Sequence, residues 1–124
     1  MDWDKLPLAV QEAITVQLGA ERPETITRET DDDLMIYEAA QKVNGRLKEV
    51  KVGDNGQVIE VEDTLSVSDL PAVVTATVQK EAPEAQIEEV CLVTYYYYEI
   101  MVNKEGEKRE VKVLGNGQIL EEED

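Results

Sequence analysis

The stretch EVKVGDNGQVIEVED, residues 49–63, decides the fold, because it returns as EVKVLGNGQILEEED at residues 110–124. Both copies read alike. Glu-Val-Lys-Val alternates charge with branched aliphatics, the period of a half-buried strand. Asn-Gly follows, the dipeptide that tolerates the positive φ angles of a tight hairpin turn. Gln and two more aliphatics then open a returning strand. Each copy is a β-hairpin, and a chain that writes one hairpin twice is expected to be built twice.

The likeness extends outward. With an offset of 61, Glu38 meets Glu99 and Gly45 meets Gly106, and residues 38–63 carry 12 identities over 26 aligned positions. Upstream the offset changes to 60 at Pro23/Pro83 and to 64 at Leu6-Pro7/Leu70-Pro71, which implies a first helix about one turn longer than the second. This pattern is expected of an internal duplication. Leu6, Val10, Ile14 and Leu18 recur at fourfold spacing, one apolar helix stripe, and Leu70, Val74 and Val78 repeat it. Asp4 and Ser68 are the expected N-caps, Pro7 and Pro71 fall in the first turn, and Pro23 and Pro83 close the helices. Strands are expected at 25–30, 34–43, 46–52 and 57–61, then at 87–93, 96–103, 107–114 and 118–122. The fold class is thus α+β: two α-β-β-β-β units, residues 1–63 and 64–124, with one antiparallel sheet system and both helices packed on one face. Neither unit has a comfortable core alone at ~60 residues, so the two are expected to share one globule, pairing their sheets edge to edge or sharing a helix layer.

Composition limits the partners. The chain has 12 basic and 28 acidic residues and a formal charge of -16. Phosphate contact needs clustered Lys and Arg, so nucleic acid is excluded, and so is docking on an anionic membrane surface. The acidity keeps a chain soluble and monomeric, and it permits a basic protein partner or divalent cations. No apolar run approaches the ~20 residues of a membrane span, and the opening shows no signal-peptide pattern. Met1 either opens a native chain or stands before a mature, processed one.

The helix, the antiparallel strands and the closing Asn55-Gly56-Gln57-Val58 hairpin, repeated around Asn116-Gly117-Gln118, resemble the PepSY-like family and the tandem fold of the beta-lactamase inhibitor protein. The acidic Asp31-Asp32-Asp33 departs from that pattern. The resemblance implies a binding or inhibitory module of the bacterial envelope, periplasmic or secreted.

The chain has no His, hence neither the commonest general base nor the commonest zinc ligand. Its glycines sit singly in turns and form no phosphate loop. No catalytic residue and no cofactor is therefore expected, and the chain is read as not an enzyme. Cys91, the single cysteine, lies in an apolar strand and is expected to be a small buried residue; a reactive thiol is the other reading. Glu49/Lys51 and Glu110/Lys112 read as cross-strand charge ladders. Asp31, Asp32 and Asp33 are weak calcium-ligand candidates without the alternating spacing of a calcium loop, and a solvated hairpin tip is the other reading. The acidic tail at 121–124 reads as a frayed end.

Tyr95-Tyr96-Tyr97-Tyr98 is the remaining feature. Strand alternation puts Tyr96, Tyr98, Ile100 and Val102 on one side, expected under the helices, and Tyr95, Tyr97 and Met101 on the other, expected on an open face. Tyr and Met are favoured in interface cores, which makes Tyr95, Tyr97 and Met101 the candidate partner-binding residues; as simple sheet-covering rings they would carry no function. The favoured function is non-catalytic protein binding, including inhibition of a peptidase or another secreted enzyme. The alternatives are an acidic cation- or small-ligand-binding envelope protein, and a hydrolase with paired carboxylates.

Overall fold

The computed structural model describes residues 1–19 and 22–120. A 3-10 turn at Trp3–Lys5 leads into α1 (Leu8–Leu18), followed by β1 (Thr25–Asp31), β2 (Leu34–Val43), β3 (Arg46–Gly53) and β4 (Val58–Leu65). A second 3-10 turn at Val67–Asp69 leads into α2 (Ala72–Glu81), then β5 (Val90–Tyr95), β6 (Tyr97–Lys104) and β7 (Glu107–Leu114). The first five strands form one antiparallel sheet in chain order, and β6 and β7 form a separate two-stranded sheet. The expected α+β class and antiparallel pairing are present.

The helix starts lie three residues beyond where the sequence places them. Pro7 and Pro71 are themselves the N-caps, and the polar caps belong to the preceding turns: Asp2 accepts from the Asp4 amide, and Ser66 forms a capping box with Asp69. A proline at the cap lacks no bond the helix requires. α1 ends on Gly19, whose φ of 70° suits a left-handed cap. The helices differ by one residue, 11 against 10, and not by a turn.

The apolar stripe of α1 builds the core. Leu6, Val10, Ile14 and Leu18 are buried against Tyr37, Ala39, Val50, Val52 and Val61, with Trp3 packed at the margin. The two Asn-Gly turns are built alike. The Gly53 amide donates to Gln57 O and the Leu114 amide to Gln118 O, at 2.9 and 2.8 Å; Asn55 and Asn116 each accept from the amide two residues on. The turns also touch: Asn55 Nδ2 donates to Gly115 O at 2.9 Å, and a Cβ on Gly53 would meet the Asn116 side chain.

The second half departs from expectation in three ways. None of the residues of α2 is buried, so only α1 packs on a sheet face. The strand expected at 118–122 is reduced to a Val113–Ile119 bridge, and residues 121 and 122, like the rest of the acidic tail 121–124, lie outside the described residues. Most informatively, β5 does not fold back on β6. In the first half, β1 returns as β2 through Asp32 and Asp33, with φ of 51° and 64°. The residues 61 positions on are Val93 and Thr94, and β-branched side chains are penalised heavily in that left-handed region. The chain therefore runs straight on. β5 pairs along the free edge of β4, Leu65 opposite Val90, and after Tyr96, whose amide donates to Ile59 O, it continues away from that sheet as β6.

Candidate functional site

Where β5 passes into β6, the four tyrosines line an open groove of about 900 Å³. Its other walls are Gln17 at the end of α1, the first Asn-Gly turn with Gln57 and Val58, and Gly115 of the second turn. All four rings stay 40–58% exposed. Tyr97 shares its strand face with Glu99 and Lys112; the Lys112 ammonium lies 5.9 Å from the Tyr97 ring centroid and 4.0 Å from Glu99. A cation over that ring favours its electron-rich face and holds it in place.

The structure partly redistributes the residues singled out in the sequence. Tyr95 and Tyr97 are both exposed and meet in the groove. Met101 is exposed but sits further along β6, opposite Glu110, outside it. Tyr98 was expected under a helix; it is 58% exposed, against 40% for Tyr97, because α2 does not cover β6. Tyr96 and Tyr98 therefore join the groove. Strand periodicity fixes the side on which a residue falls, but not whether anything lies over that side.

Beside the groove, the outward face of the five-stranded sheet is acidic. Cross-strand pairing aligns Glu38 with Lys51, Lys51 with Glu60, Glu49 with Glu62, and Glu60 with Tyr95. The ladder expected around Lys51 is present: its ammonium lies 3.7 Å from Glu60 and 4.0 Å from Glu29. The ladder is lopsided, with too many carboxylates for its cations. Partial desolvation, then a hydrogen bond and repulsion from Glu38 and the charges of Glu62 and Glu89, raise the Glu49 pKa above its usual 4.5. Glu60 is also raised; desolvation and Glu62 outweigh the Lys51 charge. Desolvation opposes the Lys51 charge, but Glu60, Glu38, Glu29 and Glu62 overcome it and raise the ammonium pKa. The sequence shows these glutamates one by one; only the register gathers them beside Tyr95.

Cys91 is exposed, contrary to the expectation of burial. Facing Thr64 on β4, it lies on the uncovered side of the sheet. Partial desolvation and the Glu89 carboxylate, 3.4 Å from Sγ, raise its pKa, which disfavours the thiolate. Asp32 and Asp33 form the exposed tip between β1 and β2, and Asp31 accepts from Gln118 Nε2 at 3.2 Å. Among the described residues no three His, Cys, Asp or Glu side chains gather in a way that could hold a metal ion. The carboxylate pairs, Glu38 with Glu49 and Glu60 with Glu62, lie on the sheet surface and line no part of the groove. Among the described residues no helix is long and apolar enough to cross a membrane.

No family model matches the chain, and no characterised protein matches it in sequence. Its fold does have solved counterparts. A BLIP-like protein from Bacteroides fragilis NCTC 9343 superposes with a TM-score of 0.52 at 21% identity, covering 96% of this chain and 86% of that one. A candidate periplasmic protein from Bacteroides eggerthii DSM 20697 gives 0.59 at 18%, covering 94% and 86%. A DUF2874 family protein from Bacteroides ovatus ATCC 8483 gives 0.56 at 20%, covering 95% and 86%. At these identities the likeness establishes the fold: the chain has a BLIP-like architecture.

Proposed function

We propose that this chain is a non-catalytic protein-binding module of the bacterial envelope, and that it grips a basic partner through the tyrosine groove. The observation that carries the reading is the convergence of Tyr95, Tyr96, Tyr97 and Tyr98 on one groove bordered by the acidic sheet face. Tyrosine offers large contact area with few rotamers to freeze, and such rings dominate interface energetics. A groove whose four rings remain about half exposed is too open to enclose a small ligand on most sides, but it suits a loop or strand of another protein. The surrounding carboxylates steer a basic surface in and repel an acidic one. The architecture shared with a BLIP-like protein supports binding over catalysis, and the candidate periplasmic counterpart supports an extracytoplasmic setting. Inhibition of a peptidase or other secreted enzyme is the specific form this binding takes in our reading.

The test begins with capture from envelope extract and identification by mass spectrometry, then titration of the purified partner. Tyr97→Ala should weaken binding by ~1–3 kcal/mol, the cost of truncating an interface anchor. The association rate should fall as salt rises. A folded Tyr97→Ala protein with unchanged affinity would remove the groove from the contact.

A further inference from the structure

Two apolar surfaces in the second half lack a cover. On β6 and β7, Tyr98 pairs with Val113 and Ile100 with Val111, and these side chains share one face with Val102. On the helix side, Leu70, Val74 and Val78 form a stripe of which none is buried. The first half shows what such surfaces do. There Leu6, Val10 and Ile14, which align with Leu70, Val74 and Val78, pack on Tyr37, Ala39, Val50 and Val52. Those four align with Tyr98, Ile100, Val111 and Val113. The stripe of α2 and the face of β6–β7 are therefore complementary in the sense that the α1 core defines.

Within one chain they are held apart. Both ends of the α2 segment leave from the Leu65–Val90 end of the main sheet. The Ser66–Asp69 capping box and the Arg46–Asp69 ion pair, at 2.9 Å, fix the start of α2 there. β6 begins at the opposite end of β5, about 20 Å away for six extended residues. For α2 to cover its own β6–β7 face, residues 66–71 would have to stretch out and break both anchors. In an antiparallel pair of molecules, by contrast, the α2 end of each lies beside the β6–β7 end of the other, and no anchor breaks.

We infer that two copies of this chain associate reciprocally, α2 of each covering the apolar β6–β7 face of the other. Charge allows it. Although the chain carries -16, residues 97–114 hold four acidic and four basic side chains, and α2 holds only Lys80 and Glu81. The acid excess lies elsewhere, so the contact itself is neutral. The general repulsion between copies weakens as salt rises, which makes salt strengthen the pair. A two-fold exchange of like elements also closes on itself and does not propagate into a filament.

The experiment is light scattering after size exclusion, run from about 1 to 100 µM, the micromolar range in which weak pairs dissociate. The expected mass is twice the 13.9 kDa of one chain at the upper end, and more dimer in high salt. Val74→Asp and Ile100→Asp should each give monomers with unchanged Trp3 fluorescence, because neither residue belongs to the core around α1. Mixing the two variants should restore part of the dimer: the intact face of one meets the intact helix of the other at one of the two contacts. A chain that stays monomeric throughout overturns the inference. So does a dimer that survives Val74→Asp but not Ile100→Asp, since that would be sheet face against sheet face. Tyr98 borders both surfaces, but Val74 and Ile100 line no part of the tyrosine groove, so the two variants test the pair of copies apart from the groove.

Discussion

Val10 and Val74 align in the two halves, yet Val10 is 0% exposed and Val74 is 40% exposed. Replacing each with Ala measures how unequal the halves are. Val10→Ala removes two buried carbons, ~1.6 kcal/mol at 0.8 per group, and leaves a cavity against Val50 and Val52 that adds about 1 kcal/mol. The better helix propensity of Ala returns ~0.5 kcal/mol at either site. The net cost at Val10 is about 2 kcal/mol. At Val74 the transfer loss is only ~1 kcal/mol and no closed cavity forms, so about 0.5 kcal/mol remains after the propensity gain. With a urea slope near 1.5 kcal/mol/M, Val10→Ala should lower the midpoint by about 1.4 M and Val74→Ala by about 0.3 M. Trp3, the single tryptophan, packs at the margin of the core and reports the first half by fluorescence; far-UV circular dichroism reports both halves. The protein should be kept well below micromolar, where copies do not meet. Equal shifts for the two variants under those conditions would refute the unequal burial of the helices, and a silent Val10→Ala would refute the core itself.

Two further outcomes follow from the geometry. A carboxyl with a raised folded pKa holds its proton better in the folded chain, so the stability that Glu49 and Glu60 contribute is fully present below their usual 4.5 and is lost as pH rises from there through their folded values. The raised Lys51 acts at the other end: its contribution is complete below 10.5 and is lost as pH rises through its folded value. Thermal melting should therefore give a higher Tm near pH 5 than near pH 7.5, with the slope reduced in Glu49→Gln; an unchanged slope would exclude Glu49 as a source. Gly56→Ala should destabilise more than Gly117→Ala. Both positions have positive φ, worth ~1–2 kcal/mol, but a Cβ on Gly56 would lie 2.6 Å from that of Ala9, whereas Gly117 faces open space. Equal Tm losses would mean that α1 does not rest on the first turn.

The hairpins were legible because their signals are local. Asn-Gly and strict alternation fixed both turns, and the bounds of β2 and β7 fall where periodicity puts them. The α1 stripe likewise named its own core residues. What the sequence concealed is relational. The burial of Tyr98 and Cys91 depends on which surface lies above them, and a period of two carries no information about a third layer. That the two halves could join edge to edge was legible, but which strands would do so was concealed, because alignment of the halves implied a β5–β6 hairpin. Val93 and Thr94, standing where Asp32 and Asp33 make the first-half turn, were the available sign that this hairpin would not form. The groove could be read only as a list of tyrosines; its other walls come from contact between two turns 61 residues apart.

The join between β4 and β5 has a consequence during synthesis. Everything that α1 packs against is complete by Leu65, so the first half can settle on local contacts while the rest is still being made. Tyr95, the last residue of the strand that seals the edge of β4, arrives 30 residues later, roughly 2–6 s at ordinary elongation rates. Through that interval β4 presents an unpaired row of amides and carbonyls to any neighbouring nascent chain. Its sequence is prepared for the wait: Glu60, Glu62 and Asp63 stand along that strand, and charge of this kind deters the foreign strands that an open edge would otherwise recruit.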